Sequence, residues 1–155
     1  MGIIEEQNIK FRNINSSGNV YKTVGPIVNN DHFSVICHIS QFKNPDTIQD
    51  FIDNVTLAIN GNFDEINDPD VSNNDDIAFI TDSGVELWDD NVENVYLLYP
   101  LLSFKEMLVA WHDFLKTAPY NGKKFPEVKR TYEDYSQDQK GSYFSKLKNI
   151  FKKTS

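Results

Sequence analysis

The chain has one cysteine, Cys37, in 155 residues. No internal disulfide can form, so a disulfide scaffold is excluded and a reducing cytoplasm is the expected compartment. Glycine is scarce, at 7 residues, and none builds a Gly-Lys-Ser/Thr phosphate loop or a Gly-x-Gly-x-x-Gly fingerprint. No apolar run approaches the roughly 18 residues of a membrane span. The start, Met1 to Glu6, has neither a basic region nor an apolar stretch, so no secretion signal is expected. The sequons at Asn15 and Asn54 are then chance matches, and Glu6 breaks the myristoylation pattern that Met1-Gly2 opens.

The most pronounced absence is positive charge in the middle of the chain. Residues 44–104 hold 14 acids and no Lys, Arg or His. Residues 1–43 carry a net +1 and residues 105–155 a net +5, within a total of −8. A one-signed field of this length steers partners of opposite sign, at the cost of self-repulsion that mixed charges avoid. A whole-domain nucleic-acid binder is disfavoured, because phosphate contacts need a basic face.

The rest reads as one soluble globule. Apolar residues make up 39% and aromatics 13%, enough for a core. Ile9 to Ile14 alternates with period two and predicts a strand. Asn15-Ser16-Ser17-Gly18-Asn19 predicts a turn, and Val20 to Val28 a second strand broken at Gly25-Pro26. His32 to Phe42, rich in β-branched and aromatic residues, predicts a third strand. Ile48, Phe51, Ile52, Val55 and Ile59 form one helical stripe, opened by a capping-box-like Thr47-x-x-Asp50 and stopped at Gly61. An acidic loop at 62–76 follows, with a short strand at Phe63 to Ile66. Ile77 to Ile80 and Val85 to Trp88 predict a hairpin around Asp82-Ser83-Gly84, and Val92 to Tyr99 a further strand ended by Pro100. The strongest helix spans 101–116, with Ser103 and Glu106 as a capping box. Its apolar face is Phe104, Met107, Leu108, Trp111, Phe114 and Leu115.

Clustered strands argue for an α+β fold: a mainly antiparallel sheet, two helices packed on one face, and a C-terminal tail helix. The expected organisation is a single α+β domain over 1–120, a polar connection over 121–142, and a basic amphipathic helix over 143–153. In that last segment Tyr143, Phe144, Leu147, Ile150 and Phe151 share one helical face among lysines.

Catalytic and metal patterns fail one by one. On a strand, Cys37 and His38 point to opposite faces and cannot share an ion or form a nucleophile–base pair. The acidic loop does not satisfy the calcium-loop pattern: from Asp68 or from Asp70, neither the required Gly nor the terminal Glu falls in place. Paired carboxylates are always findable among 23 acids, so their presence decides nothing. No enzyme, no metal and no cofactor are expected.

The acidic block, Asn60-Gly61-Asn62-Phe63-Asp64-Glu65, and the Trp-bearing segment SFKEMLVAWHDFL together resemble the immunity proteins of bacterial polymorphic-toxin and contact-dependent growth inhibition systems. The resemblance implies an immunity protein that binds a cognate protein toxin, often a basic nuclease, and blocks it. The partner-binding residues expected for such a role are Asp64, Glu65, Asp68, Asp70, Asp75, Asp76, Glu86, Asp89, Asp90 and Glu93, with Trp88 as an aromatic anchor. A carboxylate-rich surface imitates a phosphate backbone and speeds association with a basic partner. No nucleic-acid or membrane partner is expected. Two alternatives stay open: an acidic adaptor or structural module, and a small ligand-binding domain or hydrolase with a pocket between sheet and helices.

Overall fold

The computed structural model describes residues 2–89, 91–122 and 131–135. The fold is α+β with antiparallel sheets, as expected, and divides into two compact units: Met1–Ile27 with Ala118–Ser155, and Val28–Thr117. Within the stretch expected to be a polar connection, a strand at Thr131–Tyr135 pairs with the first unit. The helix expected over 143–153 lies outside the described residues.

The first unit begins with a one-turn helix, α1 (Ile3–Glu6), followed by β1 (Lys10–Ser16) and β2 (Asn19–Gly25). Ser17 and Gly18 join the two strands with φ of +55° and +81°. Positive φ at both central residues is the type I′ hairpin turn, whose twist matches that of the strands. On β1, alternate residues Phe11, Asn13 and Asn15 are buried. The far strand, here numbered β6 (Thr131–Tyr135), pairs antiparallel with β1, giving the order β2-β1-β6. On the other edge of β2, Lys22 donates its backbone N–H to Asn121 Oδ1 at 2.9 Å and Val20 O accepts from Gly122 at 2.8 Å. Lys22 itself is buried, and its Nζ donates to Asn13 Oδ1 at 2.7 Å.

The second unit contains α2 (Asp31–Ser40), α3 (Pro45–Ile59), a 3-10 turn (Phe63–Glu65), β3 (Ala78–Ile80), β4 (Val85–Trp88), β5 (Val95–Tyr99) and α4 (Leu101–Leu115). The strand expected over His32–Phe42 is helix α2. Asn30 caps it by accepting from the Phe33 N–H at 2.8 Å, and Phe33, Ile36 and Ile39 then recur at helical spacing and are buried. β-Propensity loses here to the cap and to the period of burial. The short strand expected at Phe63 to Ile66 is the 3-10 turn. α3 starts at Pro45, with Asn44 as the cap in place of Thr47, since Asn44 Oδ1 accepts from the Asp46 N–H at 2.9 Å. α4 begins directly after Pro100, so Ser103 and Glu106 lie inside the helix and form no capping box.

The sheet of this unit runs β3-β4-β5 with both pairs antiparallel. Two ladder rows, Ile80–Val85–Tyr99 and Ala78–Leu87–Leu97, supply its inner face. The unit's core adds Ile48, Ile52 and Val55 of α3 and Phe104, Met107, Leu108, Trp111 and Phe114 of α4. Gly84 lets β4 start tightly: a Cβ there would lie 2.8 Å from the Tyr99 carbonyl oxygen. Trp111 Nε1 donates to Phe42 O at 2.8 Å, and Lys43 Nζ sits 5.0 Å from the Trp111 ring centroid. Lys43 is an exposed residue, yet desolvation of its ammonium there draws its pKa down to about 8.

Candidate functional site

The acidic residues singled out from the sequence fall into three places. Asp64 and Glu65 lie in the 3-10 turn and Asp68 in the loop after it, all three exposed. That loop runs along α3, where Asn54 Nδ2 donates to Asp68 O at 3.2 Å. Asp75 and Asp76 form a turn built on Asn73, whose Oδ1 accepts from both backbone N–H groups at 2.8 and 2.7 Å. The third group belongs to the β3-β4-β5 sheet.

Asp70 forms an isolated antiparallel bridge with Phe79 of β3. Phe79 pairs with Glu86 of β4, and Glu86 with Leu98 of β5. Residues directly paired across antiparallel strands project to the same face. Asp70, Phe79, Glu86 and Leu98 therefore form one row across the outer face, opposite the buried rows. Strands are about 4.8 Å apart, so the two carboxylates lie roughly 10 Å apart with an aromatic ring between them. Trp88, two residues along from Glu86, adds to the same face and pairs with Val95 after a bulge. Its indole Nε1 is covered and meets no hydrogen-bond acceptor among the described residues. The end of the β4–β5 hairpin carries Asp89 and Glu93. Asp89 Oδ1 accepts from the Glu93 N–H at 3.0 Å, and such backbone donors hold its carboxyl below the usual carboxylate range.

The sheet register thus brings Asp70, Glu86 and Trp88 together, with Asp89 and Glu93 at the adjoining hairpin end. It does not place Asp64, Glu65, Asp68, Asp75 or Asp76 on this row, and Asp90 lies outside the described residues. Sequence reasoning missed Phe79, Val95 and Leu98. The signal was there: Val95-Tyr96-Leu97-Leu98-Tyr99 has no polar residue, so the strand is apolar on both faces. The structure leaves Leu98 52% and Tyr96 54% exposed.

Few of these carboxylates are neutralised. Asp76 Oδ2 approaches His38 Nδ1 at 3.9 Å. Apart from Asp76 and Asp90, the acids of residues 44–104 form no ion pair among the described residues.

His38, expected on a strand face away from Cys37, is instead a buried residue of α2 that pins the acidic turn. Its Nε2 lies 2.6 Å from Val71 O, a pure acceptor, so this nitrogen carries the proton. Nδ1 then accepts from Asn73 Nδ2 at 3.2 Å. Burial pulls the His38 pKa below its ordinary value, against the smaller opposing effects of Val71 O and Asp76. Burial also raises the Cys37 thiol. Tyr99 Oη lies 2.8 Å from His32 Nδ1, and burial pushes its pKa up to about 12, with Glu106 and Asp31 adding to the shift. No group of three or more His, Cys, Asp or Glu that could hold a metal occurs among the described residues. No described helix is long and apolar enough to cross a membrane. The first unit has an open groove lined by Arg12, Ile14, Thr23 and Pro26, with Arg12 its one charged side chain among the described residues.

No family model, curated protein or solved structure matches this chain.

Proposed function

We propose that the chain is a cytoplasmic immunity protein of the polymorphic-toxin or contact-dependent inhibition kind. It neutralises a cognate basic toxin domain, for example a nuclease, by stoichiometric binding and not by catalysis. The observation that carries this reading is the run of carboxylates over 44–104, of which, among the described residues, only Asp76 has an ion-pair partner. Unpaired acids at this density repel one another, and a cationic partner relieves that cost while gaining a steered association rate. The partner-binding set is Asp64, Glu65, Asp68, Asp70, Asp75, Asp76, Glu86, Trp88, Asp89, Asp90 and Glu93.

The test is affinity capture with the full chain at low and high salt, followed by expression of each captured domain alone. The expected result is a salt-sensitive partner that stops growth, and whose toxicity co-expression of this chain relieves. Combined reversal of Asp75, Asp76, Asp89 and Asp90 to Lys should slow association by about tenfold or more. Toxicity that persists under co-expression overturns the proposal.

A further inference from the structure

We propose that the outer face of the β3-β4-β5 sheet is the docking surface, and that its occupant is a cationic protein segment carrying an apolar side chain between its lysines or arginines. This deepens the toxin-neutralisation reading and rests on it.

An antiparallel sheet with one wet face normally alternates apolar and polar residues along each strand. β5 does not: Val95, Tyr96 and Leu98 are 37%, 54% and 52% exposed while Tyr99 is buried. A contiguous exposed apolar patch on a folded unit marks an interaction surface. Here the exposed Leu98 and Val95 share the face with the half-buried Phe79 and Trp88, and the row across it alternates Asp70, Phe79, Glu86 and Leu98. Acids interleaved with apolar and aromatic side chains on one face offer a partner both charge and apolar contact.

The charge of this row selects the occupant. A second copy docking face to face would bring four carboxylates, Asp70 and Glu86 of each copy, into one interface with no cation among them, and like charges across an interface cost on the order of several kcal/mol. Nucleic acid and anionic lipid surfaces carry the same sign as these acids and are repelled. A purely cationic strand would satisfy the acids and leave Phe79, Trp88 and Leu98 uncovered. A segment with a basic–apolar–basic arrangement satisfies both, its cations reaching the two carboxylates on either side of the ring.

The experiment uses the isotope-labelled full chain with two probes, an amphipathic Lys/Leu peptide and an oligolysine of equal charge. The amphipathic peptide should shift the amides of Phe79, Glu86, Trp88 and Leu98 and bind about tenfold or more tightly than oligolysine. Leu98→Ser and Glu86→Gln should each weaken it by about tenfold. Leu98→Thr, a strand former at the same exposed position, serves as the second variant should Leu98→Ser fail to fold. The pair Asp50→Asn with Asp53→Asn, exposed on α3 and outside the partner-binding set, should change affinity by less than about twofold. Equal binding of oligolysine, shifts confined to the 62–76 loop, or unchanged affinity of the Leu98 variants overturns the face. A face that binds the peptide in a chain that neutralises no toxin sinks the immunity reading alone. Full protection by Leu98→Thr against a captured toxin sinks the face alone.

Discussion

The sheet β2-β1-β6 buries Asn13, Asn15 and Lys22 beside Phe11 and Val20, whereas the sheet β3-β4-β5 buries only apolar side chains and Tyr99: Ala78, Ile80, Val85, Leu87 and Tyr99. Both have three strands, yet only the first buries a polar set among its apolar residues. In the first, a buried ammonium must find acceptors, and the Lys22–Asn13 hydrogen bond supplies one. In the second, apolar burial carries the inner face and leaves the outer face free to take a composition that folding does not require. Acid and exposed apolar side chains accumulate there and not on the buried side.

The largest effect should come from crossing that boundary with a single residue type. Leu87 and Leu98 lie on opposite faces of neighbouring strands, 2% and 52% exposed. Leu87→Ala should cost about 3 kcal/mol and Leu98→Ala under about 0.5 kcal/mol, read from urea unfolding. Similar costs for both would mean that the outer face is part of the core.

The first sheet is tested through its polar pair. Lys22→Met keeps most of the volume and leaves Asn13 Oδ1 without this donor, at a cost of about 2 kcal/mol. Adding Asn13→Leu removes the abandoned acceptor, so the double variant should lose less than the sum of the singles, with a coupling of about 1 kcal/mol. Strict additivity would show that the two side chains do not support each other.

How far the sequence announced these features depends on how local each one is. α3 and α4 follow from a 3.6-residue apolar period, and every apolar residue expected on the face of α4 is buried. α2 was hidden by Val35, Ile36 and Ile39, which favour strands, while its one local cue was Asn30 as a cap. β6, Thr-Tyr-Glu-Asp-Tyr, reads as polar connection because its pairing with β1 spans more than a hundred residues. The same holds for the candidate site. The acids were legible by composition, but their grouping depends on the Asp70–Phe79 bridge, a contact that no local pattern encodes. Phe79 and Leu98 were missed because a strand taken alone does not say which of its two apolar faces stays outside.

A smaller effect concerns pH, through the residue that anchors the acidic turn. The His38 pKa is lowered from 6.5 by burial. The unfolded chain therefore takes up this proton at higher pH than the folded one. Between the two values the unfolded state binds more protons, so stability falls as pH drops through about 6.5. His38→Gln keeps a donor toward Val71 O and has nothing to titrate. Its melting temperature should fall less on acidification than that of the unsubstituted chain, as read by calorimetry across that range. An equal fall would place the acid sensitivity elsewhere.

The smallest expected effect lies at the hairpin end that adjoins the outer face. Val92 has φ of +57° and is 51% exposed. A β-branched residue in the left-handed region costs about 1–2 kcal/mol, and here little burial offsets it. Glycine removes the Cβ that causes this strain but gives back part of the gain through a more flexible unfolded chain. Val92→Gly should therefore stabilise the chain by roughly 0.5 kcal/mol, a shift resolvable as a raised urea midpoint at unchanged slope. The same variant sharpens the contrast between folding and function at this face. A substitution that raises stability while weakening the amphipathic peptide would show that Val92 is kept for contact and not for the fold, since stability alone would favour its replacement.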